Sequence, residues 1–124
     1  MPHDVLVVDE DAAALTTILT ALNGAGYGAV GEPSFRDGLR TLRAHTPSVL
    51  ICSVKLGVFN GLHLMVRGRA DHPDLPAIVI GPASDVVARE ARTLGAAEYL
   101  PQPIDVVALL ATVAGLFELA ALPV

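Results

Sequence analysis

"PSVLICSVKLGVFNG", residues 47–61, decides the fold. It opens as an apolar run, Val49, Leu50 and Ile51, continued by Cys52 and Ser53, as a strand covered on both faces should. It then turns into a loop through Asn60-Gly61 that leads to a helix over Leu62 to Ala70. Strand, loop and helix make one βα unit, and similar units lie on both sides of it. "VLVV" (5–8) is followed by Asp11, which precedes "AAALTTILTALN"; Leu15, Ile18, Leu19 and Leu22 fall at helical spacing, and Gly24 and Gly26 stop the helix. "YGAVGE" (27–32) precedes "SFRDGLRTLRAH" (34–45), capped by Ser34, with Phe35, Leu39 and Leu42 inward and Arg36, Arg40 and Arg43 outward. "AIVIG" (77–81) precedes a helix capped by Ser84 that runs to about Leu94 and ends at Gly95. "AEYLP" (97–101) precedes a last helix from about Ile104 to Leu119.

Five successive βα units joined by right-handed crossovers make an α/β, doubly wound parallel sheet. Such sheets take ligands outside the carboxyl ends of their strands, at the switch in strand order. That rule selects Asp9 and Glu10, Ser53, Gly81 and the residues just after Leu100.

Composition narrows the function classes. A chain of 124 residues is one domain's worth, and such a domain hides roughly two-thirds of its unfolded surface. Hydrophobic residues make up 52%, yet the most apolar stretch, Ile104 to Leu122, carries Asp105 and Glu118 and lacks a basic flank, so it reads as a packed helix rather than a membrane span. "MPHD" lacks the layout of a secretion signal. The single Cys52 excludes an internal disulfide and fits a reducing, cytoplasmic setting. A net charge of −5 argues against a nucleic-acid surface. His3, His45, His63 and His72 show no ligand spacing.

At the strand ends the chain resembles a bacterial two-component response-regulator receiver domain, over nearly its whole length. "VLVVDED" looks like the first strand with its acidic pair, Asp9 and Glu10. "GVFNGLHLM" is similar to the loop after the phosphoacceptor, with Asn60-Gly61 where the family usually has Asp-Gly. "PAIVIGPAS" matches the fourth strand. "GAAEYLPQPID" is the most specific stretch: Gly95, Ala96, Tyr99, Pro101 and Pro103 fall where the pattern puts them. The resemblance implies a flavodoxin-like (βα)5 fold with strand order 2-1-3-4-5, helices one and five on one face, and a cis bond between Gln102 and Pro103. It implies a phosphorelay signalling module and not an enzyme.

The departures from the pattern sit on the chemistry. The phosphoacceptor aspartate falls on Ser53, the hydroxyl residue ending strand four on Gly81, and the lysine after strand five on Gln102. A carboxylate is ionised near neutral pH and attacks without a base. A serine hydroxyl needs one, and no base other than the acidic pair is in view. Gln102 offers hydrogen bonds but no charge to a phosphoryl group, and Gly81 has no hydroxyl to swing. No cofactor is expected. Asp9 and Glu10 alone make at most a weak Mg²⁺ site, or serve only to favour the helix that follows. Lys55 either neutralises the acidic pair or points into water. Tyr99, the family's rotating aromatic, reads as static here, and Cys52, facing away from Ser53, as a core residue.

A silent pocket moves the function to a surface. The last helix has no charge from Val106 to Phe117. With Leu109, Val113, Leu116 and Leu110 inward, Val107, Ala108, Ala111, Ala114, Gly115 and Leu119 turn outward. Ala111 and Gly115 admit a second helix closely, and the first helix is equally free of charge. These features point to a homodimer through helices one and five, or to a protein partner such as a sensor kinase or effector. Two alternatives stand beside this reading. Ser53 is phosphorylated by a separate kinase, or the chain is a small-ligand-binding flavodoxin-like domain, although "DEDAA" is no phosphate cradle. Whether an effector domain follows Val124 is left open by the sequence.

Overall fold

The computed structural model describes residues 4–121. Met1, Pro2, the histidine at position 3 and residues 122–124 lie outside the described residues. Five parallel strands form one sheet: β1 (Asp4–Val8), β2 (Gly28–Glu32), β3 (Val49–Ser53), β6 (Ala77–Gly81) and β7 (Glu98–Pro101), in the order β2-β1-β3-β6-β7. Counted among sheet strands alone, this is the expected 2-1-3-4-5. The helices are α1 (Ala12–Gly24), α2 (Phe35–Ala44), α3 (Gly61–Asp71), α4 (Asp85–Thr93) and α5 (Val106–Ala121).

One element departs from the sequence reading. Lys55–Leu56 (β4) and Phe59–Asn60 (β5) pair as a small antiparallel hairpin in the segment expected to be loop. Gly57, at φ +64°, takes the first central position of its two-residue turn, where a side chain would be strained. The helix that follows also starts one residue early, at Gly61, because Asn60 caps it: its Oδ1 accepts the Leu62 N–H at 2.8 Å.

The other caps fall where expected. Asp11 accepts from the N–H groups of Ala13 and Ala14, Ser34 from Asp37 and Ser84 from Val87. The last helix begins at Val106, after Asp105, whose carboxylate accepts from Val107 and Ala108. The Gln102-Pro103 bond is cis.

Strands β3 and β6 are buried along their whole length, and two apolar layers lie on the two faces of the sheet. One layer joins Val8, Leu50 and Cys52 to α2, α3 and α4; the other joins Val7, Ile51 and Ile80 to α1 and α5. Cys52 is a core residue, and burial pushes its thiol up to about 12. Among the described residues no helix is long and apolar enough to cross a membrane.

Candidate functional site at the carboxyl edge of the sheet

The sheet brings the selected residues to one edge. Val8 pairs with Cys52 across β1 and β3, so Asp9 and Ser53 follow side by side. Ser53 in turn pairs with Ile80, the residue before Gly81. Gly81 pairs with Pro101, and the Gln102 N–H donates to the Gly81 carbonyl at 2.7 Å. Ser53, Asp9 and Gly81 are buried, whereas Gln102 and Glu10 lie in the solvent-exposed rim.

Asp9 is only 3% exposed. Its Oδ1 accepts the Asp11 N–H at 3.0 Å. Burial pushes its carboxyl above the usual range, the Asp11 N–H pulls it back, and the charges of Asp11 and Glu10 push it further up. The native state therefore holds this proton more tightly than the unfolded chain does. Stability from this group is present at low pH and is lost as pH rises through the raised value. Asp9→Asn keeps an acceptor for Asp11 and removes the charge. It is expected to raise stability at neutral pH by on the order of 1 kcal/mol, with the gap over the parent narrowing on acidification. Urea midpoints measured from acid to neutral pH check both statements.

Glu10 is held by the hairpin that the sequence reading missed. Its Oε1 accepts the Gly57 N–H at 3.0 Å, and the Lys55 Nζ lies 4.0 Å from its Oε2. The Lys55 side chain is 84% exposed and stands beside Glu10. Such a pair is worth little in stability. Among the described residues Lys55 forms no ion pair with Asp9.

A cation at this edge would draw on Asp9, Glu10 and Ser53. Among the described residues no group of three His, Cys, Asp or Glu side chains converges on one point. Glu10 is already engaged on both oxygens. Mg²⁺ keeps several waters and takes one or two carboxylates from a protein, so an ion here would rest on Asp9 and Glu10 and would compete with the Gly57 N–H and Lys55 for Glu10.

Tyr99, on the edge strand β7, is buried at 6% exposed and points inward. Its hydroxyl donates to the Pro82 carbonyl at 2.6 Å, and burial raises its pKa. The space beside Gly81 is filled by this ring: a Cβ there would collide with the Tyr99 hydroxyl and lie 2.8 Å from Val54 Cγ2. Sequence reasoning linked Gly81 to Tyr99 only through the missing hydroxyl; their contact runs between two strands and has no local signal.

The family model for the response regulator receiver domain matches residues 5–114. The chain belongs to the receiver family. Among curated relatives this receiver is 34% identical over 101 residues to the DNA-binding transcriptional regulator NtrC of Klebsiella pneumoniae, covering 81% of this chain and 22% of that protein. It is 32% identical over 103 residues to the transcriptional regulatory protein ZraR of Escherichia coli, covering 82% of this chain and 23% of that one. The chain thus spans less than a quarter of the length of these relatives. A solved putative response regulator from Chloroflexus aurantiacus superposes with a TM-score of 0.86 at 29% identity, covering 95% of this chain and 99% of that one. The flavodoxin-like fold that the resemblance implied is the one observed, and the receiver is a signalling module.

The outward residues of α5 form a stripe. Val107 is 77% and Leu119 66% exposed, and Ala111 and Gly115 between them are exposed as well. Leu109 and Val113 are buried as expected, with Leu110, Leu116 and Phe117 packed against the same layer. His45 and His72 bond to Asp4 and Thr46, ordinary surface contacts.

Proposed function

We propose that this receiver signals without phosphorylation and without bound Mg²⁺, by protein–protein contact. The observation that carries the reading is the set of residues meeting at the carboxyl edge. Ser53 ends β3, Gly81 ends β6 and Gln102 follows β7. The sequence resemblance assigns these positions to the family's phosphoacceptor aspartate, its hydroxyl and its lysine. The attacking carboxylate, the switching hydroxyl and the charge-offsetting ammonium are all absent from one pocket. Without a ligand that distinguishes two conformations, nothing shifts their balance. Tyr99, locked over Gly81, then acts as a static plug. A kinase acting on Ser53 would have to reach a residue 4% exposed and place a dianion beside Asp9. Incubation with Mg²⁺ and acetyl phosphate, followed by intact mass, is expected to give no added phosphoryl group. Beryllofluoride is expected to leave the amide spectrum at the strand ends unchanged. A stoichiometric, alkali-labile adduct sinks the reading.

The exposed stripe Val107, Ala111, Gly115 and Leu119 supports a second element of the reading, association of two copies through α1 and α5. Nothing lies within 4 Å of a Cβ built on Gly115, so a facing helix can approach. The partner is otherwise a sensor kinase or an effector. Sedimentation is expected to show a dimer that Ala111→Glu converts to monomer; a parent that stays monomeric at high concentration removes this element.

A further inference from the structure

The face built by α2, α3 and the hairpin carries a second surface, far from the outward stripe of α5. Phe35, on the first turn of α2, stacks on Phe59 of β5 with centroids 4.8 Å apart and planes 22° apart. Phe35 is 8% exposed and Phe59 53%. The ring pair floors a groove of about 510 Å³ walled by Arg36, Arg40, Arg43 and Arg67. Val66, 40% exposed, extends the apolar floor.

The charge here opposes that of the chain. Net charge is −5, yet four of the seven arginines line this one groove. Arg69, by contrast, is used internally, donating to the carbonyls of Gly95 and Pro73. Among the described residues the ion pair that the groove arginines make is Arg40 with Asp37, at 3.4 Å and largely exposed.

We propose that this groove docks an acidic segment of a partner protein that carries one apolar side chain. Guanidinium groups grip carboxylates through paired hydrogen bonds. The exposed part of Phe59 and Val66 offers an apolar seat between them. Arginine and aromatic residues together are what dominates binding energy at protein interfaces. A nucleic acid fits less well. The overall charge repels a polyanion, and Phe35 spends its ring face on Phe59 rather than on a base. The assignment is independent of whether Ser53 is silent.

The test is selection of phage-displayed random dodecapeptides on the intact protein, then titration of a synthetic consensus peptide by fluorescence anisotropy. The selected peptides are expected to be acidic with one aliphatic or aromatic residue. The double charge reversal Arg40→Glu, Arg67→Glu is expected to weaken binding at least about tenfold. Phe59→Ser is expected to weaken it while leaving its salt dependence in place. All three positions are exposed, and circular dichroism verifies folding. No enrichment, a pool without acidic bias, or affinity unchanged by the charge reversal overturns the proposal. Tighter binding of a single-stranded oligonucleotide than of the peptide overturns it too.

Discussion

Gly61→Ala is expected to destabilise the receiver by about 3 kcal/mol or more. Helix propensity alone gives the opposite sign, since alanine is better than glycine inside a helix by roughly 1 kcal/mol. Packing decides the matter. A Cβ on Gly61 would fall on the carbonyl oxygen of Ser53, 2.8 Å from its carbonyl carbon and 3.3 Å from Val54 Cα. These are backbone atoms at the end of a central strand, and they cannot swing aside as the tip of a side chain can. Val54 is fixed on both sides, its N–H donating to Ile80 at 2.8 Å and its carbonyl accepting from Gly61 at 2.7 Å. Relief requires α3 to lift off the sheet, and Leu62, Leu64 and Met65, all at most 1% exposed, would lose their burial. Urea unfolding measures the loss; a deficit below about 1 kcal/mol would show that the α3 start moves freely. The glycine therefore sets how closely the first turn of α3 approaches Ser53.

How much of this was legible in the sequence follows from the range of each interaction. The caps at Asp11, Ser34 and Ser84 act over two or three residues, so a linear reading finds them. The buried strands announce themselves as unbroken apolar runs, and the outward stripe of α5 follows from helical period. The hairpin was missed because each of its strands has two residues, too few to show alternation. Its signal was Gly57 between "KL" and "FN". That omission hid two consequences, the hold on Glu10 and the seat that Phe59 gives to Phe35. The meaning of Gly81 was half legible. The missing hydroxyl could be read from the residue itself. The room it leaves for a phenol depends on Val79 standing opposite Tyr99 across β6 and β7, a register that residue spacing alone does not reveal.

Gly81→Thr tests that second half and is expected to cost about 2 kcal/mol. The new side chain meets Tyr99, with Cζ 3.2 Å from the added Cβ, and Val54 Cγ2 at 2.8 Å. Val54 sits where β3 enters the hairpin and has little freedom. The ring is the part that can leave, and leaving breaks its hydrogen bond to Pro82 and exposes buried aromatic surface. The cost is therefore expected to fall by about 1 kcal/mol or more in a Tyr99→Ala background, the contact with Val54 keeping the remainder. A second readout follows from the phenol. Burial holds the Tyr99 pKa above its ordinary value, so a displaced ring titrates lower, which ultraviolet titration in a Tyr27→Phe background resolves. Coupled stability and a falling phenol pKa mean that glycine is what permits the inward ring, and that threonine at this position and the plug exclude one another. Additive stabilities with an unchanged titration mean that the pocket holds both, and Tyr99 is then free to rotate as in a working switch.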